Sequence, residues 1–372
     1  MFGGIPTANI SCHDGDITLP LWGLDPKEIR GITCIISAAA NVSFNLPFDD
    51  AIRQNTLSTL EGLKLARELD ALFVYISTAY TQSYMPNGSL LKEELPRVPP
   101  EAGSVIKKGN WSQFLEVDPE RPLEGILPHK GKRVNFHELF LLMGYPNTYT
   151  MSKALAEHMI AEQTDVRSLI LRPSIIIPAA FEPVPFLIDS NAGPNPIFLA
   201  IYHGLIGPFL YGDIPFDIVP VDYVADVCLV ISGFHLETPV HGKIYHLTSG
   251  MGTPHLYPLY KQIVSNMSGN QNRVIPFRNR KMFQICEDLF LRGVKIFQPK
   301  ALPLAQMAAT KAADLHRFTT NGWIFSQKHF EAIPKTSQFL RFTNLNAFGW
   351  DTYIRCYGQA LASKGRQLKS KL

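Results

Sequence analysis

A tyrosine and a lysine stand four residues apart in Tyr149-Thr-Met-Ser-Lys153. On a helix, positions i and i+4 share a face, so the ammonium sits beside the phenol. A nearby cation favours phenolate and lowers the phenol from its usual ~10, which makes it a usable proton donor and acceptor near neutrality. The spacing alone is weak, because Tyr257-Pro-Leu-Tyr-Lys261 repeats it. Context separates the two. Tyr149 opens a helical pattern that precedes an apolar strand, and upstream Thr78 ends another strand. A hydroxyl there can hydrogen-bond a carbonyl oxygen while Tyr149 protonates it, because open α/β sheets bind ligands at the carboxyl ends of their strands. The second pair carries Pro258 inside its motif. The bland alternative for Tyr149 is a surface residue on a helix.

The elements that must position this pair are legible as alternating apolar runs and helical patterns. Gly31–Ser37, Ala71–Ser77 and Val166–Leu171 are apolar nearly throughout, as strands buried on both faces should be. Asp49–Leu69 has leucines at helical steps (Leu57, Leu60, Leu63; Leu65, Leu69), and Tyr149–Gln163 is a second helix. Strand–helix–strand–helix–strand predicts an α/β fold, a Rossmann-like parallel sheet with crossover helices. Gln82–Arg133 is loop-rich. From Pro173 to about Asn266 proline and glycine punctuate short segments, with a strand at Tyr245–Ser249 and a helix at Pro258–Met267. Beyond Arg273 the pattern is helical (Lys281–Phe297, Pro303–Phe318, Trp350–Leu361). The expected division is a reductase-type domain over 1–270 and a mostly helical C-terminal domain over 271–372.

Composition narrows the class. With 46% hydrophobic residues and 23 Phe, the 372-residue chain has material for a sizeable core, which excludes wholesale disorder. A net charge of +3 gives no general case for nucleic acid. No apolar run is long enough for a transmembrane segment; the best stretch, Ile218–Phe234, is broken by Asp222 and Asp226. Five scattered cysteines without a CxxC pair argue against disulfides and a zinc site, so no metal is expected.

Several segments together resemble the fatty acyl-CoA reductases, extended short-chain dehydrogenase/reductases with a C-terminal male-sterility domain. They are Gly15-Asp-Ile17, Ser37-Ala-Ala-Ala-Asn-Val-Ser-Phe44, Asn55-Thr-Leu-Ser-Thr59, Ser77-Thr-Ala-Tyr80 and Gly144–Glu157 around the Tyr149/Lys153 pair. Arg172-Pro-Ser-Ile175, Glu182-Pro-Val-Pro-Phe186, Val219-Pro-Val-Asp222 and the distal Phe348-Gly-Trp-Asp-Thr-Tyr353 extend the match. Two positions depart from the pattern: Ser37 replaces a usual His, and Ser58 a usual Gly.

The resemblance implies Tyr149 as proton donor, Lys153 as holder of the nicotinamide ribose and tuner of Tyr149, and Thr78 as polariser of the acyl carbonyl. It implies that Asp16, Ile17, Ala39, Ala40, Asn41, Pro173 and Ser174 line the cofactor, with Asp16 following a strand and meeting the adenine. The implied activity is NADPH-dependent reduction of long-chain fatty acyl-CoA to a fatty alcohol through the aldehyde, in lipid metabolism. Two other readings stay open on the residues: a non-catalytic relic of such a reductase, and another extended short-chain reductase acting on a thioester. A docking role for 274–318 is also open. Asp16 capping a turn, Asn55 as an ordinary helix residue and Ala39/Ala40 as tight packing are the plainer alternatives.

The two ends carry further expectations. Gly3-Gly4 is the only early glycine cluster, and no strand precedes it. Matched against the resemblance, the first two strands and the glycine-rich phosphate turn of a dinucleotide fold are missing, so the fold is expected to be N-terminally truncated. NADPH binding would then be weak, and Ile32–Ala39 would be an exposed sheet edge. The other end reads Ser370-Lys371-Leu372, an address for a peroxisomal import receptor, so the expected location is the peroxisome. A fluorescent protein ending in Lys364–Leu372 is expected to become punctate in cells. A diffuse signal, unchanged by deleting Leu372, refutes the address.

Overall fold

A computed structural model describes residues 10–96, 144–188, 193–250, 253–267, 275–333 and 349–369, plus the backbone of an antiparallel pair, β4 and β5, below. Gly3-Gly4, Ser370-Lys371-Leu372 and most of the loop-rich Gln82–Arg133 stretch lie outside the described residues. The strands are β1 (Cys34–Ser37), β2 (Leu72–Ile76), β3 (Leu90–Leu91), β4 (Leu127–His129), β5 (Lys132–Val134), β6 (Ser168–Pro173), β7 (Ile175–Ile177), β8 (Pro208–Leu210), β9 (Ile218–Pro220), β10 (Lys243–Leu247), β11 (Ile275–Phe277) and β12 (Ile324–Phe325). The helices are α1 (Phe48–Ala51), α2 (Ser58–Leu69), α3 (Thr148–Glu162), α4 (Asn195–Tyr202), α5 (Val221–His235), α6 (Leu256–Met267), α7 (Arg280–Phe297), α8 (Leu302–Asp314), α9 (His316–Thr320), α10 (Lys328–Glu331) and α11 (Trp350–Lys369).

The central sheet has the order β1-β2-β6-β10, all parallel. This is the α/β sheet the apolar runs predict, with each strand's side chains divided between two cores. Ile35, Phe73, Tyr75, Ile170 and Ile244 pack with Leu63 and Ala66 of α2 and Ala156 and Ile160 of α3. Leu72, Val74, Leu169, Leu171, Tyr245 and Leu247 pack with Val227 and Ile231 of α5. Adjacent residues point to opposite faces, so both must be apolar, and the runs read as continuous. Among the described residues β1 pairs with β2 alone, and Ile32 and Ile36 are exposed, as expected of an edge.

The helix expected over Asp49–Leu69 is continuous but not uniform. Between α1 and α2, Ile52–Leu57 winds as a π-helix. Thr56 Oγ1 donates to Ser152 O at 2.9 Å and Asn55 Nδ2 to Ser152 Oγ at 3.1 Å, bonds to α3 that accompany the wider turn. The buried face runs through Ile52, Asn55, Thr56, Thr59, Gly62 and Leu63, while Leu57 and Leu60 are only half-buried. A Cβ on Gly62 would stand 2.3 Å from the Trp22 ring and 2.8 Å from Phe73, so only glycine admits this contact.

Residues beyond 270 pack into the same structure rather than apart from it. β11 pairs with β8 and β12 with β3, both parallel. Tyr353, Ile354, Tyr357 and Leu361 of α11 join the core beneath the sheet, against Ile263 of α6. Gly358 lets the two helices close; a Cβ there would lie 2.8 Å from Ile263 O. The boundary expected near 270 therefore runs through shared packing. Leu361→Ala is expected to lower the stability of the whole fold by about 2–5 kcal/mol, the usual result of emptying a leucine site. Denaturation followed by circular dichroism should give one displaced transition; a separate minor transition with the main one unmoved would contradict a shared core.

Candidate functional site

Parallel strands present all their carboxyl ends at one edge, and most of the expected site residues gather there. The turn after β2 carries Ser77 and Thr78, and the loop after β1 carries Ala39, Ala40 and Asn41. Pro173 ends β6 and Ser174 follows it. Tyr149 and Lys153 come from α3, which Asn147 starts by accepting from Thr150 N at 2.8 Å. Thr148 Oγ1 donates to Leu46 O at 2.9 Å, tying the loop after β1 to the same helix start.

Tyr149 is half-buried against Phe44, with ring centroids 5.9 Å apart, and its phenol lies beside the Thr78 side chain. Thr78 in turn accepts from Tyr80 N at 3.3 Å, which closes a 3-10 turn, Ala79–Gln82. Lys153 is buried. Its Nζ donates to Ile76 O at 2.7 Å and lies 4.5 Å from the centre of the Tyr75 ring. Among the described residues no carboxylate lies within ion-pair distance of it.

The electrostatics differ from the sequence expectation. Burial pushes the Tyr149 phenol up to about 12, with the Thr78 side chain opposing it, so the ammonium does not lower it here. Lys153 is itself desolvated and held down at about 7, with Glu157 opposing. Burial disfavours both charged forms, so at neutral pH Tyr149 is a phenol holding its proton.

Glu157, one turn beyond Lys153, is paired with Arg172 of β6, both fully buried. Arg172 Nη2 donates to Glu157 Oε2 at 2.6 Å and Nε to Oε1 at 2.8 Å, while Ser77 Oγ donates to Oε1 at 2.5 Å. Arg172 also reaches Glu94 O at 2.9 Å. Asn55 does similar work on the other side: its Oδ1 accepts from Asn41 N at 2.8 Å and its Nδ2 donates to Asn41 O at 2.9 Å. Neither Asn55, Glu157 nor Arg172 was singled out as a site residue from the sequence. The four-residue step from Lys153 to Glu157 was the available signal.

Aromatic residues from beyond 300 complete the wall. Phe318, Trp323 and Phe325 meet Tyr80 edge-on at 5.1, 6.0 and 5.7 Å, and Phe318 packs on Phe44 at 5.4 Å. The second Tyr–Lys pair has a different setting: Tyr257 stacks on Tyr211 at 4.6 Å, and Lys261 Nζ lies 5.5 Å from the centre of the Tyr257 ring.

Three of the expected cofactor residues, Asp16, Ile17 and Ser174, have protein partners or neighbours of their own. No strand precedes Gly15 within residues 10–14, and exposed Asp16 closes a turn by accepting from Thr18 N and Oγ1, both at 2.8 Å. The segment carrying Asp16 and Ile17 packs on α2, where Leu21 N donates to Glu61 at 3.0 Å and Trp22 Nε1 to Ser58 O at 2.7 Å. Ser174 is buried and donates to Asp217 at 2.5 Å, a carboxylate that also takes Ser249 and Thr253. Ala39 is exposed and Ala40 and Asn41 half-buried, so these three remain open at the edge.

This arrangement can hold a carbonyl oxygen between two hydroxyls, one able to give a proton. It also fits the ribose end of a nicotinamide dinucleotide: a buried lysine amine with one acceptor among the described residues has protons left for a diol. Lys153, Asn41 and Tyr149 are the residues that would hold that end. Among the described residues no glycine-rich turn joins a strand to a helix, so the fit is argued for the ribose end alone.

Comparisons with known proteins bear on the same residues. The model of an NAD-binding family described as male sterility protein matches residues 5–228. Fatty acyl-CoA reductase 1 of Gallus gallus is 25% identical over 380 residues, covering 94% of this chain and 69% of that protein. The Xenopus laevis protein of that name is 24% identical, covering 88% and 65%. Fatty acyl-CoA reductase 2 of Homo sapiens is 28% identical, covering 62% and 42%. Among solved structures, the terminal R domain of the myxalamid PKS-NRPS pathway aligns with a TM-score of 0.58 at 18% identity, covering 95% and 75%. A UDP-galactose 4-epimerase aligns at 0.52 and 12%, covering 95% and 84%. At these identities the structural likeness concerns the fold.

The lysine supplies a pH test. Its folded value of about 7 lies below the ordinary 10.5, so between those values the unfolded chain binds a proton that the folded chain has released. Stability therefore rises with pH across that window. Lys153→Met should be more stable than the parent near pH 7, with the gap closing towards pH 10. Denaturant midpoints of both proteins across this range check it; a constant gap would refute the assignment.

Proposed function

We propose, for a chain that belongs to the NAD-binding male sterility protein family, that it is an oxidoreductase reducing long-chain fatty acyl-CoA with NADPH to the fatty alcohol. The observation that carries this reading is the Tyr149 phenol beside the Thr78 hydroxyl at the carboxyl edge of β2, with Lys153 buried one turn along α3 and donating to Ile76 O. The names of the relatives in Gallus gallus, Xenopus laevis and Homo sapiens support the substrate class.

A bound NADPH supplies the hydride that reduces the thioester carbonyl carbon. Thr78 and Tyr149 donate to the carbonyl oxygen, and their hydrogen bonds strengthen as negative charge develops there. Tyr149 enters this step protonated, since burial holds its phenol at about 12. Transfer of its proton gives a hemithioacetal, which expels coenzyme A as thiol and leaves the aldehyde. A second NADPH would supply the hydride for the aldehyde once Tyr149 has regained a proton from solvent, and the same two hydroxyls would meet the aldehyde oxygen. Lys153 is the residue that would hold the ribose diol beside them, and in its protonated form it would favour phenolate as Tyr149 gives up its proton. Phe44, packed beside Tyr149, and Phe318 behind it would keep water from the reacting carbon. The location we propose is the peroxisome.

The test is acyl-CoA reduction by the purified chain, with NADPH consumption and extracted alcohol both measured. Tyr149→Phe keeps the ring and deletes the proton, so alcohol formation should fall by about 100-fold or more with the fold retained. Undiminished reduction in that variant would refute the assignment.

A further inference from the structure

The geometry points to the α7–α8 hairpin as a docking face for an anionic lipid bilayer. Among the described residues, helix α7 is fixed to the body by one side. Phe283 is buried and meets His316 edge-on at 4.9 Å, and Phe290 fills the space where a Cβ on Gly207 would stand. The opposite side carries Met282, Ile285, Leu289 and Ile296, steps of three, four and seven residues that keep one helical stripe. All four are exposed. At the corner into α8, Ile296 and Phe297 are 71% and 82% exposed, and Met307 of α8 is exposed beyond them. Large apolar side chains this open, clustered along one stripe and one corner, mark a surface meant to be covered.

Charge identifies the occupant. Residues 278–311 hold seven Lys and Arg against two acidic residues, Glu287 and Asp288, while the whole chain carries a net +3. All seven cations are exposed, with Lys281 and Arg292 on the flank of the stripe and Lys295 and Lys300 around the corner. An apolar stripe bordered by cations suits acyl chains below and anionic headgroups beside it. A second copy of the same face would bring two basic surfaces together. No helix among the described residues is long and apolar enough to cross a membrane, so the hairpin lies on the surface with its corner inserted.

The face is joined to the site. Helix α8 runs into α9, whose Phe318 packs on Phe44 beside Tyr149, and Asn45 Nδ2 donates to Asp314 at 2.7 Å. Docking therefore sets the lipid surface next to the wall of the site. The inference rests on the hairpin alone and stands whether or not the proposed reduction is observed.

Vesicle flotation of the purified chain tests it, using phosphatidylcholine vesicles with and without phosphatidylserine. The chain should float with the phosphatidylserine vesicles and at least ~10-fold less with phosphatidylcholine alone or in high salt. A variant combining Ile296→Glu and Phe297→Glu, both exposed, should keep its thermal midpoint and lose ~10-fold or more of the bound fraction. Protein that stays at the bottom of the gradient, or a variant that floats as well as the parent, overturns the proposal. So does a dimer that this variant dissolves in the absence of flotation, which would assign the face to a second copy.

Discussion

The structure depends on one buried ion pair. Glu157 on α3 and Arg172 on β6 face each other without solvent, joined by two short hydrogen bonds. Removing two charges from water costs several kcal/mol each, and the loss is offset only when geometry and further hydrogen bonds are good. Ser77 supplies one such bond and the carbonyl of Glu94 another. A pair of this kind contributes less to net stability than to position, because any slip of α3 along the sheet would leave one charge alone. It thereby sets the height of the helix. Lys153, one turn earlier, meets the last carbonyl of β2, and Tyr149, another turn earlier, meets the hydroxyl just past it.

The second constraint comes from far along the chain. The turn that aims Thr78 begins with Ala79 and Tyr80, and Tyr80 sits inside three edge-on rings supplied by residues 318–325. Arg317 Nη2 adds a bond to Ser83 O at 3.2 Å. A hydroxyl that must meet a developing charge needs fixed surroundings, and here they are apolar and aromatic. The C-terminal segment is thus part of the wall of the site.

The sheet was legible because strands covered on both faces must be apolar at consecutive positions, as Leu72-Phe-Val-Tyr-Ile76 is. Tyr149, Lys153 and Thr78 were legible because local spacing and strand ends are written in the sequence. Other features depend on pairing across elements, which no spacing records. The partner of Glu157 could not be read, nor the ring of aromatics around Tyr80. The helix after β1 was legible in part: Leu63 and Leu65 are buried while Leu57, Leu60 and Leu69 are half-covered, and the side bonded to α3 is built from Asn55 and Thr56, with Thr59 bonded back to Asn55. Those polar residues are buried because each has a partner, and hydropathy counts them as surface. Asp16 was placed by motif, which did not show that the chain around it folds onto α2 through Trp22.

The π-turn at Ile52–Leu57 gives this helix an uneven tolerance to change. A π-turn is an α-helix with one residue to spare. Loss of a single residue there would let the segment relax to ordinary α-helix, and Ser58–Leu69 would still meet the sheet with the same face. The bulge that carries Asn55 to the loop after β1 would be gone, and with it both bonds to Asn41. A one-codon deletion at this point is therefore a change that the fold can absorb and the loop cannot. In a population of related genes, the length of this helix would report on whether the edge of the site is still under selection.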